Sequence, residues 1–114
     1  MQDNTVRIMF GGDIVGKPGR NTLAKTIKEL KKEFQIDLII VNGENSAGGF
    51  GITKGVAEEL FSLSVEVITS GNHIWDKKEG MELIIEEERI LRPLNYPPEV
   101  PGRGYTILNL PNRE

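Results

Sequence analysis

Five side chains in this sequence could act on a ligand together if the fold gathered them: Asp13, Glu44, Asn45, Asn72 and His73. Carboxylates hold a cation or a basic partner, amide oxygens add neutral donors, and an imidazole exchanges protons near neutrality. All five follow the same kind of segment, an apolar run closing on glycine: Val6-Arg-Ile-Met-Phe-Gly-Gly-Asp13, Asp37-Leu-Ile-Ile-Val-Asn-Gly-Glu-Asn45 and Val65-Glu-Val-Ile-Thr-Ser-Gly-Asn-His73. Glu44 is the hardest to assign to a turn, because Glu is a poor turn residue and a charge partly out of water needs a basic side chain or a metal as partner. Asp13 by itself reads equally as a helix cap or turn residue, and Asn45 and Asn72 as residues that tolerate left-handed backbone. His73 alone would be an ordinary structural histidine, but Gly71 lets the chain bend tightly enough to aim Asn72 and His73 at a common point.

The elements that must position these residues alternate. Val6 to Phe10 reads as a short strand, and the spacing of Leu23, Ile27, Leu30 and Phe34 predicts a helix from about Asn21, after a turn-rich stretch from Ile14 to Arg20. Leu38 to Val41 is a continuous aliphatic run, the pattern of a strand buried on both faces of a parallel sheet. A glycine-rich loop, Ser46 to Ile52, leads to Thr53 as the N-cap of a helix with Val56, Leu60 and Leu63 inward. Val65 to Thr69 is a third strand, and Lys77 to about Leu91 reads as a helix with Met81, Ile84, Ile85 and Leu91 as its apolar set. Arg92 to Tyr96 and Tyr105 to Leu110 are candidate fourth and fifth strands, and Trp75 is expected to pack as a lid over the turn after the third. This alternation predicts an α/β layered sheet with flanking helices and right-handed crossovers, in which ligands collect beyond the C-terminal ends of the strands. All five candidate residues fall there.

Composition narrows the function classes. At 114 residues the chain is sized for one domain, and 38% hydrophobic with 27% charged residues is ordinary for a globular protein. A net charge of -3 gives no long-range pull toward nucleic acid or an anionic membrane, so a phosphate ligand must be held locally. With no cysteine there is no disulfide, thiolate metal site or cysteine nucleophile, and a single histidine cannot complete a histidine-rich metal site. No signal peptide or run of ~20 apolar residues is present, so the expected address is cytoplasmic. The basic pairs Lys17/Arg20 and Lys77/Lys78 read as solvated surface ahead of a phosphate contact. Gly11 to Lys17 has the spacing of a phosphate loop, yet Pro18 stands where a Ser or Thr hydroxyl should reach magnesium, and Asp13 would put a negative charge inside the cradle.

Several stretches in order, Gly12-Asp-Ile-Val-Gly-Lys-Pro-Gly-Arg20, Asn42-Gly-Glu-Asn-Ser-Ala-Gly-Gly49, Gly51-Ile-Thr53, Thr69-Ser-Gly-Asn-His-Ile-Trp-Asp-Lys77, Arg92-Pro-Leu-Asn-Tyr-Pro97 and Pro101-Gly-Arg-Gly-Tyr105, together resemble the YmdB-like metallophosphoesterases. These are a branch of the calcineurin-like phosphoesterase superfamily. The resemblance implies a dinuclear metal-dependent phosphodiesterase, with a small phosphodiester such as a 2′,3′-cyclic nucleotide as substrate and two divalent ions, iron or manganese, as cofactors. It implies Asp13 and Asn45 at the first metal, Glu44 bridging both, Asn72 on the second and His73 as the proton donor, with a metal-bridged hydroxide attacking phosphorus. Val15 stands where the wider superfamily has a histidine, as in the YmdB-like branch, and the family's remaining histidine ligands fall in the second half of its domain. Residues 1–114 are therefore expected to be the N-terminal half of a single metallophosphoesterase domain with an incomplete ligand set. The alternative is a non-catalytic module that binds a phosphate ligand or a partner, and an uncovered sheet edge leaves homo-oligomers open.

Overall fold

The computed structural model describes residues 4–110. Its elements run β1 (Ile8–Gly11), α1 (Gly16–Glu33), β2 (Leu38–Asn42), α2 (Lys54–Ser62), β3 (Val67–Thr69), a 3₁₀ helix (Asn72–Asp76) and α3 (Lys78–Glu86). The three strands form one parallel sheet in the order β1-β2-β3, with Ile8 opposite Leu38 and Ile40 opposite Val67.

Sequential order has a consequence for the layers. Right-handed crossovers between neighbouring parallel strands taken in chain order set successive helices on the same side of the sheet. The buried cluster agrees, since Leu23 and Ile27 of α1, Ala57 and Leu60 of α2 and Ile84 of α3 pack with Ile39, Val41 and Ile68 from the sheet. The opposite face holds Ile8 and Phe10, 55% and 59% exposed, beside the half-buried Leu38 and Ile40. The expectation that β2 is buried on both faces is thus corrected: its residues alternate, with Ile39 and Val41 fully covered.

Other expectations shift for local reasons. α1 begins at Gly16 rather than near Asn21. Pro18 is its third residue, where a missing N–H is one of the four that a helix start leaves unpaired in any case, so the proline is compatible with the first turn. Thr53 caps α2 as expected, its Oγ1 accepting from the Val56 N–H at 3.2 Å. α3 ends at Glu86, and Met81 and Ile85, assigned to the core by spacing, are 41% and 57% exposed. Arg92 to Tyr96 forms turns instead of a fourth strand; two residues before it, Ile90 alone bridges Ile68 in parallel. Tyr105 to Leu110 forms no strand, with Tyr105 66% and Ile107 84% exposed. No helix among the described residues is long and apolar enough to cross a membrane.

Candidate functional site

The loops that leave the three strands are stitched together by main-chain hydrogen bonds. Ile14 N–H donates to Asn42 O at 3.1 Å and Gly16 N–H to Asn45 O at 3.0 Å, tying the exit of β1 to that of β2, while Gly43 N–H donates to Thr69 O at 2.9 Å. Gly16 sits at φ +58, a left-handed backbone that a side chain would strain, and it is this geometry that turns the chain from Asp13 into α1. The glycine-rich loop folds on itself through Ser46, fully buried, whose hydroxyl donates to Gly43 O at 2.7 Å. Arg20 reaches across from α1 to donate to Ser46 O and to pair with Glu59 Oε2 at 2.9 Å. Arg20 is therefore a brace between α1, the glycine-rich loop and α2, and not part of a solvated surface. Lys77 is likewise engaged, its Nζ 4.3 Å from the Phe50 ring centroid.

On this frame four of the five candidate residues meet. Asn45 Nδ2 donates to both Asp13 oxygens, at 3.1 and 3.2 Å. Glu44 Oε2 accepts from the His73 backbone N–H at 2.9 Å, which joins the exit of β2 to that of β3. The His73 imidazole feels the charges of Glu44 and Asp13. Asn72 opens the 3₁₀ helix with an exposed side chain that bonds to none of the other four. The close approach of Glu44 to Gly71 is what lets its carboxylate reach His73: a Cβ on Gly71 would stand 2.8 Å from Glu44 Oε2.

Three further residues shape the site without having stood out in the sequence. Asn42 holds Glu44 from behind, accepting from its N–H at 3.3 Å and donating to Oε1 at 3.4 Å. Asp76 Oδ2 lies 2.7 Å from His73 Nδ1. The spacing of three that joins them is a 3₁₀ signal, because side chains three apart eclipse on such a helix, and a segment read as a turn conceals it. Arg92, only 8% exposed, lies beside the exit of β3, where Leu91 N–H donates to Ile68 O and the Ser70 hydroxyl to Leu91 O. Its Nη1 donates to Pro93 O at 3.0 Å, and its Nε is buried without a partner.

The donors fit the oxygen side of a divalent cation site. Asn45 Oδ1 is buried with no hydrogen-bond partner, while the Nδ2 of the same amide is the atom turned to Asp13, so a cation shared with Asp13 requires the amide to turn over. A buried carbonyl oxygen in that position is an atom that a cation would satisfy. Among the described residues no three His, Cys, Asp or Glu side chains gather closely enough to hold a metal ion. A cation here would thus depend on the amide oxygens as well as on Asp13 and Glu44.

His73 holds its proton more tightly than a free imidazole. Its pKa is raised above the ordinary 6.5, first by the hydrogen bond to Asp76 and then by the charges of Asp76, Glu44 and Asp13, with partial desolvation opposing them. Asp76→Asn is expected to bring the His73 pKa down toward 6.5, which an NMR titration reads directly because the chain has one histidine. For a pKa raised by folding, the stabilisation is complete below 6.5 and is lost as pH rises through the folded value. The wild type should accordingly lose thermal stability relative to Asp76→Asn across that interval. An unchanged His73 titration in Asp76→Asn would show that the pair does not set the proton affinity.

The YmdB-like protein family model matches residues 9–114. A Bacillus subtilis relative named 2′,3′-cyclic-nucleotide 2′-phosphodiesterase is 38% identical over 109 residues, covering 96% of this chain and 41% of the relative. A Thermus thermophilus crystal structure, of a protein described as hypothetical, superposes with a TM-score of 0.83 at 38% identity over 91% of this chain and 40% of that one. A Mycoplasma pneumoniae structure described as a novel phosphatase gives 0.80 at 35% identity over 87% and 37%. The chain thus spans about two-fifths of the length of these relatives. With the sheet, the stitched strand exits and the matched span in agreement, the chain belongs to the YmdB-like protein family.

Proposed function

We propose that the protein is a metal-dependent phosphodiesterase to which residues 1–114 contribute the N-terminal part of a single metallophosphoesterase domain. The observation that carries this reading is the joining of the strand exits at the C-terminal edge of the sheet, where Asn45 donates to Asp13 and Glu44 accepts from the His73 N–H. The name of the Bacillus relative supports a small phosphodiester, a 2′,3′-cyclic nucleotide, as the substrate class. Asp13 and Asn45 would hold one divalent ion, Asn72 a second, with Glu44 between them, and iron or manganese suits such oxygen-rich donors. Bound there, the ions would polarise the phosphoryl oxygens and supply an activated water at neutral pH.

The chain's own residues account for orientation and for the proton. The His73 N–H and the Asn42 amide fix the plane of the Glu44 carboxylate. Asp76 engages Nδ1 of His73, which leaves Nε2 as the atom that meets substrate. The Asp76 hydrogen bond favours the protonated imidazole, and His73 would donate to the leaving ribose oxygen. The cysteine-free composition supports a cytoplasmic setting.

Equilibrium dialysis against manganese and iron, followed by hydrolysis of 2′,3′-cyclic AMP, tests the proposal. Bound metal, turnover that a chelator abolishes and recovery on adding manganese back are expected. Nucleotide binding that needs no metal and brings no turnover would instead favour a non-catalytic phosphate-ligand module. That second reading draws on the lack of a three-member acid and histidine cluster among the described residues.

A further inference from the structure

We propose that Trp75 and Tyr96 form a nucleobase-binding subsite that holds its occupant by stacking and selects it by ring size. The two rings come from different segments, Trp75 from the 3₁₀ helix and Tyr96 from the turn closed by its N–H to Pro93 O at 3.2 Å. Their centroids are 6.3 Å apart and their planes 24° from parallel. Around them lies an open pocket of about 390 Å³, completed by Met81, Pro97, Val100 and Pro101, whose wall presents apolar atoms alone. Met81 belongs here: it is 41% exposed on α3 because this pocket, not the core, is its environment.

The occupant follows from the chemistry of the wall. Near-parallel aromatic faces flanked by proline rings and a thioether favour a flat, polarisable ring over a flexible chain. No polar group reaches the edge of a base there, so adenine and guanine are held alike, while a pyrimidine offers less stacking area and is held less well. The subsite shares its 3₁₀ turn with His73 of the candidate centre. His73 and Trp75 flank the fully buried Ile74 on one 3₁₀ turn, and two residues of such a helix advance about 4 Å along its axis. A phosphate beside His73 and a base against Trp75 are then joined by one ribose, an orientation that rests on the proposed phosphodiesterase reading.

Trp75 is the only tryptophan, so its fluorescence reports the pocket directly. Adenosine, which has no phosphate and needs neither metal nor catalysis, is expected to quench it saturably, with guanosine similar, uridine weaker and ribose 5-phosphate without effect. Tyr96→Ala should weaken adenosine binding about tenfold, in line with the loss of one stacking ring, and Tyr96→Phe should keep it. If Tyr96→Ala does not fold, Met81→Glu, at an exposed position of α3, takes its place by setting a charge against the pocket. Absence of saturable quenching by adenosine overturns the subsite, as does unchanged affinity in folded Tyr96→Ala or Met81→Glu, and either result points to a polypeptide segment as the occupant. The two proposals fail separately. Adenosine binding without hydrolysis of cyclic nucleotides removes the enzyme reading and leaves the subsite, whereas equal KM for 2′,3′-cyclic AMP and base-free ribose 2,3-cyclic phosphate removes the subsite and leaves the enzyme.

Discussion

Glu44→Gln is expected to abolish metal content and phosphodiesterase activity together while leaving the fold intact. The substitution keeps the side chain's size and one carbonyl oxygen, which can still accept from the His73 N–H now bonded to the carboxylate at 2.9 Å. Stability should fall by about 1 kcal/mol, since the new amide nitrogen faces the Asn42 Nδ2 that now donates to Oε1 at 3.4 Å. The charge is what disappears. An amide offers a cation one neutral oxygen where the carboxylate offered two charged ones, and the loss should exceed the roughly 10²-fold that removal of an outer-shell partner costs a metal site. His73→Ala is the contrasting case, with turnover lowered by about 10²-fold or more if His73 is the proposed proton donor, and metal retained. Metal analysis, hydrolysis rates and thermal melts on the three proteins separate these roles, and a fully metallated, active Glu44→Gln protein would sink the assignment of Glu44.

Gly71→Ala should uncouple function from stability in the same region. Gly71 has φ -147, a backbone angle that alanine adopts freely, so strain plays no part. The obstacle is space: a Cβ would meet both Glu44 oxygens and lie 2.9 Å from Cδ. These atoms are the end of a side chain that can swing aside, so the fold should lose only about 1 kcal/mol, the low end of the cost of overpacking. The carboxylate, however, must move by about 1 Å, and displacement on that scale costs on the order of 10²-fold in rate. A melting temperature close to wild type with metal affinity and turnover both lost is the expected pair of results. Wild-type turnover in Gly71→Ala would mean that the position of Glu44 next to His73 is not needed.

The sheet and the convergence at its mouth were legible because they rest on short-range signals. Apolar runs of four or five residues closing on glycine mark buried strands with tight exits, and three in sequence with intervening helices define the polar edge on which Asp13, Glu44, Asn45 and His73 come together. What escaped the sequence depends on longer-range or conditional facts. Pro18 looks like a stop until its place in the first turn of α1 is known. Arg92 to Tyr96 has strand-like composition, yet only Ile90 finds an edge to pair with. Met81 and Ile85 fit the helical period, but Ile85 is exposed and Met81 lines the open pocket beside Trp75 instead of the core. Asp76 needed the 3₁₀ conformation to be seen as the neighbour of His73, and the burial of Arg92 left no mark in its own sequence.

The main-chain bonds that join the strand exits, from Ile14 to Asn42, from Gly16 to Asn45 and from Gly43 to Thr69, owe nothing to side-chain identity. Most of the frame around the mouth is thereby independent of the groups it displays, and it behaves as a socket into which other donors can be set. Substitutions at Asp13, Asn45 or His73 alter what the socket grips while the loops keep their places. A designer seeking a different cation, or a ligand with no metal at all, would begin from those three positions and leave Gly16, Gly43 and Gly71 untouched.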